Sequence, residues 1–208
     1  MSCKTLRVLD IILSLLGLFL SILPLSIIAV IIKLTSRGPV LFSQARIGRY
    51  GTSFVIYKLR TMHVDSQASK GAIQGSNLSF EALKKLRESY KTTSLGDKRI
   101  TAVGKWLRRF YIDELPQLFN VLRGDMSLVG PRPDAPVQVV DYSERQWQKR
   151  HIISPGITGL AQIFQKRMHF NASTRVSLDL YYVKKRSLKL YLWVLWKTIS
   201  IAMFKGSF

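Results

Sequence analysis

Cysteine is almost missing from this 208-residue chain, where Cys3 stands alone. An internal disulfide is therefore excluded, a cysteine-based zinc site has no ligands, and Cys3 reads as a free thiol. Acidic residues are scarce as well, 12 against 32 lysines and arginines, for a formal charge of +20. Solubility needs far less, so the excess implies polyanionic partners: nucleic acid, the anionic face of a membrane, or diphosphate substrates. Charge does not rank the three. Histidines number 3, and His63, His151 and His169 lack ligand spacing, which assigns them to surface or packing. Any metal is held by oxygen. No internal repeat is evident, and the length suits one catalytic domain plus a membrane element.

Charge is absent altogether from Ile11 to Ile32. As a helix this run is about 33 Å long, enough to cross a bilayer core. It is too long for a signal peptide's apolar region, and no small-x-small cleavage site follows it. Pro24 lies mid-run, where it removes a backbone hydrogen bond and favours a bend. Lys4 and Arg7 flank one end, Lys33 and Arg37 the other, whereas a spanning helix carries its basic bias on the cytoplasmic side only. The favoured reading is a helix-break-helix that enters one leaflet and returns, with a kinked spanning helix as the alternative.

Beyond it, Val40 to Met62 predicts a β-hairpin, with Val40-Leu41-Phe42 and Phe54-Val55-Ile56-Tyr57 as arms around a Gly48 to Gly51 turn. Arg46, Lys58 and Arg60 ride on the arms. His63 to Asn77 reads as a loop. Ser79 is a helix cap, and Phe80, Leu83 and Leu86 recur at helical spacing beside Lys84, Lys85 and Arg87, a basic amphipathic helix for the membrane surface or the core. Trp106, Phe110, Leu115, Leu118, Phe119 and Leu122 form a further helical pattern. Pro116 within it places a new helix start near Asp113, with that residue at or beside the N-cap. There the dipole would favour its ionised form and a phosphate oxygen. Leu188 to Phe204 is short and lysine-bearing, with interface-loving Trp193, Trp196 and Tyr191, and suits a helix lying on the membrane.

Asp113-Glu114 is the only adjacent acidic pair in the chain. Alone, such a pair is usually a solvated helix start. Here Arg108 and Arg109 precede it, Gly124-Asp125 follows, and Gly130-Pro131-Arg132-Pro133 is a stiff turn presenting a guanidinium suited to phosphate or a base edge.

These stretches closely resemble the bacterial monotopic polyprenyl-phosphate phosphoglycosyl transferases, sugar transferases that start surface-glycan assembly. The resemblance rests on the apolar start with its proline, Tyr57-Lys58-Leu59-Arg60-Thr61-Met62, Asp113-Glu114-Leu115-Pro116-Gln117-Leu118 and Gly124-Asp125-Met126-Ser127. It continues through Leu128-Val129-Gly130-Pro131-Arg132-Pro133, Pro155-Gly156-Ile157-Thr158-Gly159-Leu160-Ala161-Gln162 and Asp179-Leu180-Tyr181-Tyr182-Val183. It implies that Asp113 attacks the β-phosphorus of a UDP-sugar, that UMP leaves, and that polyprenyl (undecaprenyl) phosphate then takes the phosphosugar. Mg2+ would neutralise the diphosphate, held by Glu114 and Asp113, with proton removal as Glu114's alternative role. Lys58, Arg60, Arg108 and Arg132 would stabilise phosphate charge, Pro131-Arg132-Pro133 would form the nucleotide-base platform, and Gln162 would join the substrate-binding set.

The implied organisation is α+β: a re-entrant membrane helix over 1–37, a catalytic domain over 38–187 built on a small hairpin, and a C-terminal interfacial helix over 188–208. It implies the cytoplasmic face of the inner membrane, contact with anionic lipids, and no nucleic acid. Two departures stand out: Leu23-Pro24 replaces the usual Ser-Pro, and Ser154 replaces a basic residue before Pro155, leaving Lys149 or Arg150 as substitutes. The extra membrane helices of larger relatives are missing, as expected of a minimal catalytic unit. A membrane-tethered nucleic-acid binder, or a scaffold, would leave the Asp113-Glu114 pair unexplained.

Overall fold

The computed structural model describes residues 3–64, 79–90, 97–165 and 171–204. Most of the expected His63 to Asn77 loop, and His169, lie outside them. Eight α-helices and four short strands in two sheets are present among the described residues, so the mixed class read from the sequence holds, with helix dominant.

Helix α1 (Cys3–Thr35) is the one described helix long and apolar enough to cross a membrane. Leu6, Asp10, Ser14, Ser21, Ile28 and Ile32 are buried along it, and their spacing in steps of four and seven defines a single stripe. The opposite face leaves Phe19, Leu23 and Leu34 at 72, 71 and 81% exposure. The expected break at Pro24 is not there: the helix runs through the proline without interruption. Packing on both flanks explains this. Leu6, Leu9 and Leu13 join the main core, while Leu25, Ile28 and Ile32 pack with Leu59 and Leu107, so both half-helices are held in line. Pro24 deprives the Leu20 carbonyl of its partner. Ser21 Oγ donates to the Leu18 carbonyl at 3.0 Å and Ser26 Oγ to that of Ile22 at 2.8 Å, bracing either side of the gap without filling it. Gly17 permits close approach to the next layer, since a Cβ there would stand 3.0 Å from Leu118 Cδ1.

Strands β1 (Leu41–Ile47) and β2 (Ser53–Leu59) pair antiparallel from Leu41 opposite Leu59 to Ile47 opposite Ser53, as the sequence predicts. The turn contains a 3-10 segment with Tyr50 in the left-handed region. Helix α2 (Phe80–Ser89) is capped by Ser79, whose Oγ accepts from the Ala82 amide, and it buries Leu83 against Ala135 and Val137. It therefore packs on the protein.

The helical pattern from Trp106 to Leu122, expected to restart near Asp113, is three pieces. α3 (Ala102–Arg109) ends at Phe110, a 3-10 turn spans Ile112–Glu114, and α4 (Gln117–Arg123) starts after Pro116 at its N-cap. Asp113 thus lies in the tight turn ahead of α4 and is not its cap, a correction to the sequence reading. Pro116 fixes the helix start, as its missing N–H requires.

Strand β3 (Ser127–Val129) pairs in parallel with β4 (Gly156–Thr158). The crossover carries a 3-10 segment (Pro136–Asp141) and α5 (Glu144–Arg150). A Cβ at Gly156 would overlap the Gly130 backbone, so glycine is what lets the two segments meet. α6 (Leu160–Gln165), α7 (Ala172–Lys185) and α8 (Leu188–Phe204) complete the fold. α8 was expected to lie on the membrane. It buries Tyr191, Val194 and Ile201 in the main core and turns Leu192, Trp196 and Ile199 outward. A fully buried side chain of this size contributes about 1.5–3 kcal/mol, so α1 and α8 are integral to one core.

Candidate active site

The site begins with a backbone constraint. Tyr111 is held at φ 59°, ψ 17°, a left-handed conformation that costs a non-glycine residue about 1–2 kcal/mol. It turns the chain sharply out of α3 and presents Asp113 and Glu114 on consecutive positions of the 3-10 turn. That turn abuts β2, which supplies Lys58 from its last residues. The Lys58 Nζ lies 2.5 Å from Glu114 Oε1, and Arg132, from the turn after β3, reaches the same oxygen at 3.2 Å. Residues 56 and 18 positions away thus converge on one carboxylate. Among the described residues, neither hydrogen bond nor ion pair engages the Asp113 carboxylate.

The two acids are pushed in opposite directions. Burial works to raise the Glu114 carboxyl, but Lys58 and Arg132 outweigh it and bring its pKa down to about 2. Burial raises Asp113, and the negative charge of Glu114 raises it further, with Lys58 and Arg108 only partly opposing. Neighbouring carboxylates pushed in opposite directions are the usual mark of divided chemical roles. Burial lowers Lys58 and Arg108, and each is partly restored by a carboxylate, Glu114 and Asp113 respectively. Arg108 is fixed by its Nε donating to Thr61 Oγ1 at 2.8 Å.

Arg46, Ile56, Lys58, Glu114, Gln117, Arg132, Pro133, Gly156 and Ile157 line a cleft whose volume is about 10 Å³, roughly one water. Lys58 and Arg132 close it by gripping Glu114. An entering phosphate would exchange those carboxylate contacts for its own oxygens.

Of the residues read from the sequence, Asp113, Glu114, Lys58, Arg132, Pro133 and Arg108 come together here. Pro131 sits behind the turn, its carbonyl accepting from the Gly156 amide at 2.8 Å. Arg60 does not enter the cleft. Its guanidinium is buried and donates to the carbonyls of Arg37 at 2.7 Å and Ser36 at 2.7 Å, and to Ser36 Oγ, closing off the C-terminus of α1. Gln162 is also elsewhere: its Nε2 donates to the Ile157 carbonyl at 3.1 Å, bracing the cleft wall from behind. Arg150 does not substitute for the missing base before Pro155. It is 2% exposed, pairs with Asp134 and with Asp179 at 2.9 Å, and donates to the Arg132 carbonyl at 2.8 Å. Asp134 also receives the Tyr142 hydroxyl at 2.9 Å, and His151 packs beside it. This buried cluster fixes the backbone of the Arg132 turn, and its long-range partners left no local signal in the sequence.

Asp10 is the other residue the sequence concealed. At 2% exposure within α1, its Oδ1 accepts from the Tyr191 hydroxyl at 2.7 Å, the Leu128 amide at 2.9 Å and Ser127 Oγ at 3.1 Å. One turn earlier, Arg7 donates to the Val121 and Leu122 carbonyls at 2.5 and 2.8 Å, capping α4. The membrane helix is thereby tied to the elements that carry the site.

No cluster of three or more metal-ligating side chains occurs among the described residues. Adjacent Asp113 and Glu114 do fit Mg2+, which commonly takes one or two carboxylates and completes its shell with water and substrate phosphate.

The chain is similar in sequence to known proteins. The chain is 41% identical over 197 residues to an undecaprenyl-phosphate glucose phosphotransferase of Komagataeibacter xylinus, covering 90% of this chain and 34% of the relative. It is 41% identical over 176 residues to a UDP-N-acetylgalactosamine-undecaprenyl-phosphate N-acetylgalactosaminephosphotransferase of Aeromonas hydrophila, 82% of this chain and 37% of that one. A UDP-glucose:undecaprenyl-phosphate glucose-1-phosphate transferase of Caulobacter vibrioides is 39% identical over 207 residues, 95% of this chain and 66% of the relative. The chain spans about a third of the length of the first two. The family model for bacterial sugar transferases matches residues 2–205, and the chain belongs to that family.

Proposed function

We propose that this chain transfers a phosphosugar from a UDP-sugar to undecaprenyl phosphate at the cytoplasmic face of the inner membrane. The observation that carries the reading is the pairing of a buried, unengaged Asp113 carboxylate with a Glu114 held by Lys58 and Arg132. The names of the relatives supply the substrate classes.

In the first step an Asp113 carboxylate oxygen bonds to the β-phosphorus while the bond from that phosphorus to the bridging oxygen breaks. UMP departs with the electron pair, leaving an aspartyl phosphosugar. An oxygen of undecaprenyl phosphate then bonds to the same phosphorus, the Asp113 carboxylate leaves, and undecaprenyl diphosphate-sugar forms. Lys58, Arg108 and Arg132 meet the spreading phosphate charge, the principal work of a protein in phosphoryl transfer. The Arg132 turn, fixed from behind by Arg150, orients the leaving nucleotide. Glu114 and Asp113 would hold Mg2+, which would supply charge neutralisation of the diphosphate.

Topology follows from the same reading. The exposed apolar face of α1 lies in lipid, and the outward Leu192, Trp196 and Ile199 of α8 continue it, so Asp113 works near headgroup depth with anionic lipids around its basic surface. Because α1 is unbroken at Pro24 and packs on the catalytic body from Leu6 to Ile32, a helix lying along the membrane interface with both ends on one side is favoured over full crossing.

The test is to incubate the protein with a panel of UDP-sugars and undecaprenyl phosphate. UMP and one lipid-linked phosphosugar are expected. Absence of both products with every donor would refute the assignment. Cysteine probes at positions 4 and 37, in a Cys3→Ser background, should both be labelled only from the cytoplasm; periplasmic reactivity of position 4 alone would mean that α1 spans.

A further inference from the structure

Arg46 projects from β1 into the wall of the cleft beside Arg132 and Pro133. Its Nη2 donates to Gln44 Oε1 at 2.5 Å and its Nη1 to the Pro133 carbonyl at 3.3 Å, while its Nε is buried without a partner among the described residues. No carboxylate pairs with it among those residues. The nearest candidates are committed elsewhere: Asp134 to Arg150, Tyr142 and His151, and Glu114 to Lys58 and Arg132.

A partly buried guanidinium with no paired carboxylate and a buried, unpartnered Nε is short of anionic contact. Burial pushes Arg46 below its usual value; Tyr90 offsets this in part, Arg132 adds to it, and Asp134 and Glu114 oppose it. Arg46, Lys58 and Arg132 line the cleft with Glu114 as the one carboxylate among its lining residues, an excess of two positive charges that favours a polyanion.

We propose that Arg46 is a phosphate-contacting residue of this cleft, binding an oxygen of the leaving nucleotide's phosphate from the Pro133 side. The inference rests on the transferase reading and adds a cation to it. Gln44 and the Pro133 carbonyl hold two corners of the guanidinium, so the fork is fixed before the anion arrives, the condition under which arginine outperforms lysine. Its place beside the Arg132 turn, which the transferase reading gives to the nucleotide, assigns it to the departing nucleotide's phosphate.

Binding of uridine, UMP, UDP and inorganic pyrophosphate to the detergent-solubilised protein, measured with Mg2+ present, tests this. Arg46→Gln should weaken UDP and pyrophosphate by about tenfold or more, the worth of one charge-assisted contact, and leave uridine within about twofold. Arg46→Lys, which keeps charge but not the fork, should fall between; if the glutamine variant does not fold, this ratio of pyrophosphate to uridine loss decides. Unchanged UDP and pyrophosphate binding would overturn the proposal while leaving the transferase reading intact. An equal loss of uridine would also overturn it, because Arg46 would then only prop the turn. A wild-type protein binding neither UDP nor pyrophosphate would bring down both.

Discussion

Replacing Asp10 with alanine should loosen the membrane helix from the catalytic body. The carboxylate oxygen accepts from Tyr191, Leu128 and Ser127 in a site buried at the junction of α1, β3 and α8. Hydrogen bonds to a charged group contribute about 1.5–3 kcal/mol each, but these share one oxygen and are not additive. The Ser127 and Tyr191 hydroxyls can rotate toward other acceptors, whereas the Leu128 amide cannot. The cost of burying the carboxylate is also recovered. A net loss of about 2–3 kcal/mol results, the upper part of the range for leaving a buried donor unsatisfied. For a chain of this length it lowers the melting temperature by roughly 4–12 °C. Asp10→Asn keeps an acceptor and should cost about half as much. Thermal unfolding in nanodiscs, followed by tryptophan fluorescence, measures each. Tyr191→Phe should cost about 1 kcal/mol alone and nothing further once Asp10 is alanine. A melting temperature for Asp10→Ala within about 2 °C of wild type, or full additivity with Tyr191→Phe, would refute the reasoning.

Arg60→Ala should lower stability by about 2–4 kcal/mol, because it uncaps α1, and leave the donor KM unchanged; a raised KM with normal stability would return Arg60 to the substrate site. Arg132→Ala should raise donor KM by about tenfold or more, with lysine a poor rescue, and excess chelator should stop turnover; normal saturation by donor, or activity in chelator, would contradict these roles. The reactive form of Asp113 is the carboxylate and its pKa is raised, so activity should fall, as pH drops, through a value above the ordinary carboxylate range. Lys58 lowers that pKa, so in Lys58→Met the acid limb should move to higher pH in a pH–rate profile, and a limb unmoved or shifted downward would refute the coupling.

Local patterns were legible where local forces decide. Alternation around Gly48 and Gly51 predicted the hairpin, Ser79 predicted the start of α2, and Pro116 marked a helix start even though the residue assigned to its cap was wrong. Arg60 stands one residue past β2, where strand alternation no longer sets a side chain's direction, and its guanidinium turns to the C-terminus of α1. Pro24 predicts a break when α1 is considered alone; tertiary packing on both sides of it is invisible in the run itself. Asp10 pairs with groups 117 and 181 residues away, and beside Arg7 it reads as an ordinary helix flank. In the site, the Asp113-Glu114 pair and the Arg132 turn were visible as motifs. That Lys58 and Arg132 would grip Glu114 and not Asp113 required the fold, because the choice turns on the Tyr111 bend.

The proposed chemistry requires Asp113 to become covalently bonded to the phosphosugar. Intact-protein and peptide mass spectrometry of the protein exposed to UDP-sugar without lipid acceptor reads that bond. An added phosphosugar mass is expected on the peptide carrying Asp113, discharged by undecaprenyl phosphate and absent from Asp113→Asn, which should retain its fold and lose turnover. An Asp113→Asn protein with full activity, or a phosphosugar found on another residue, would contradict it.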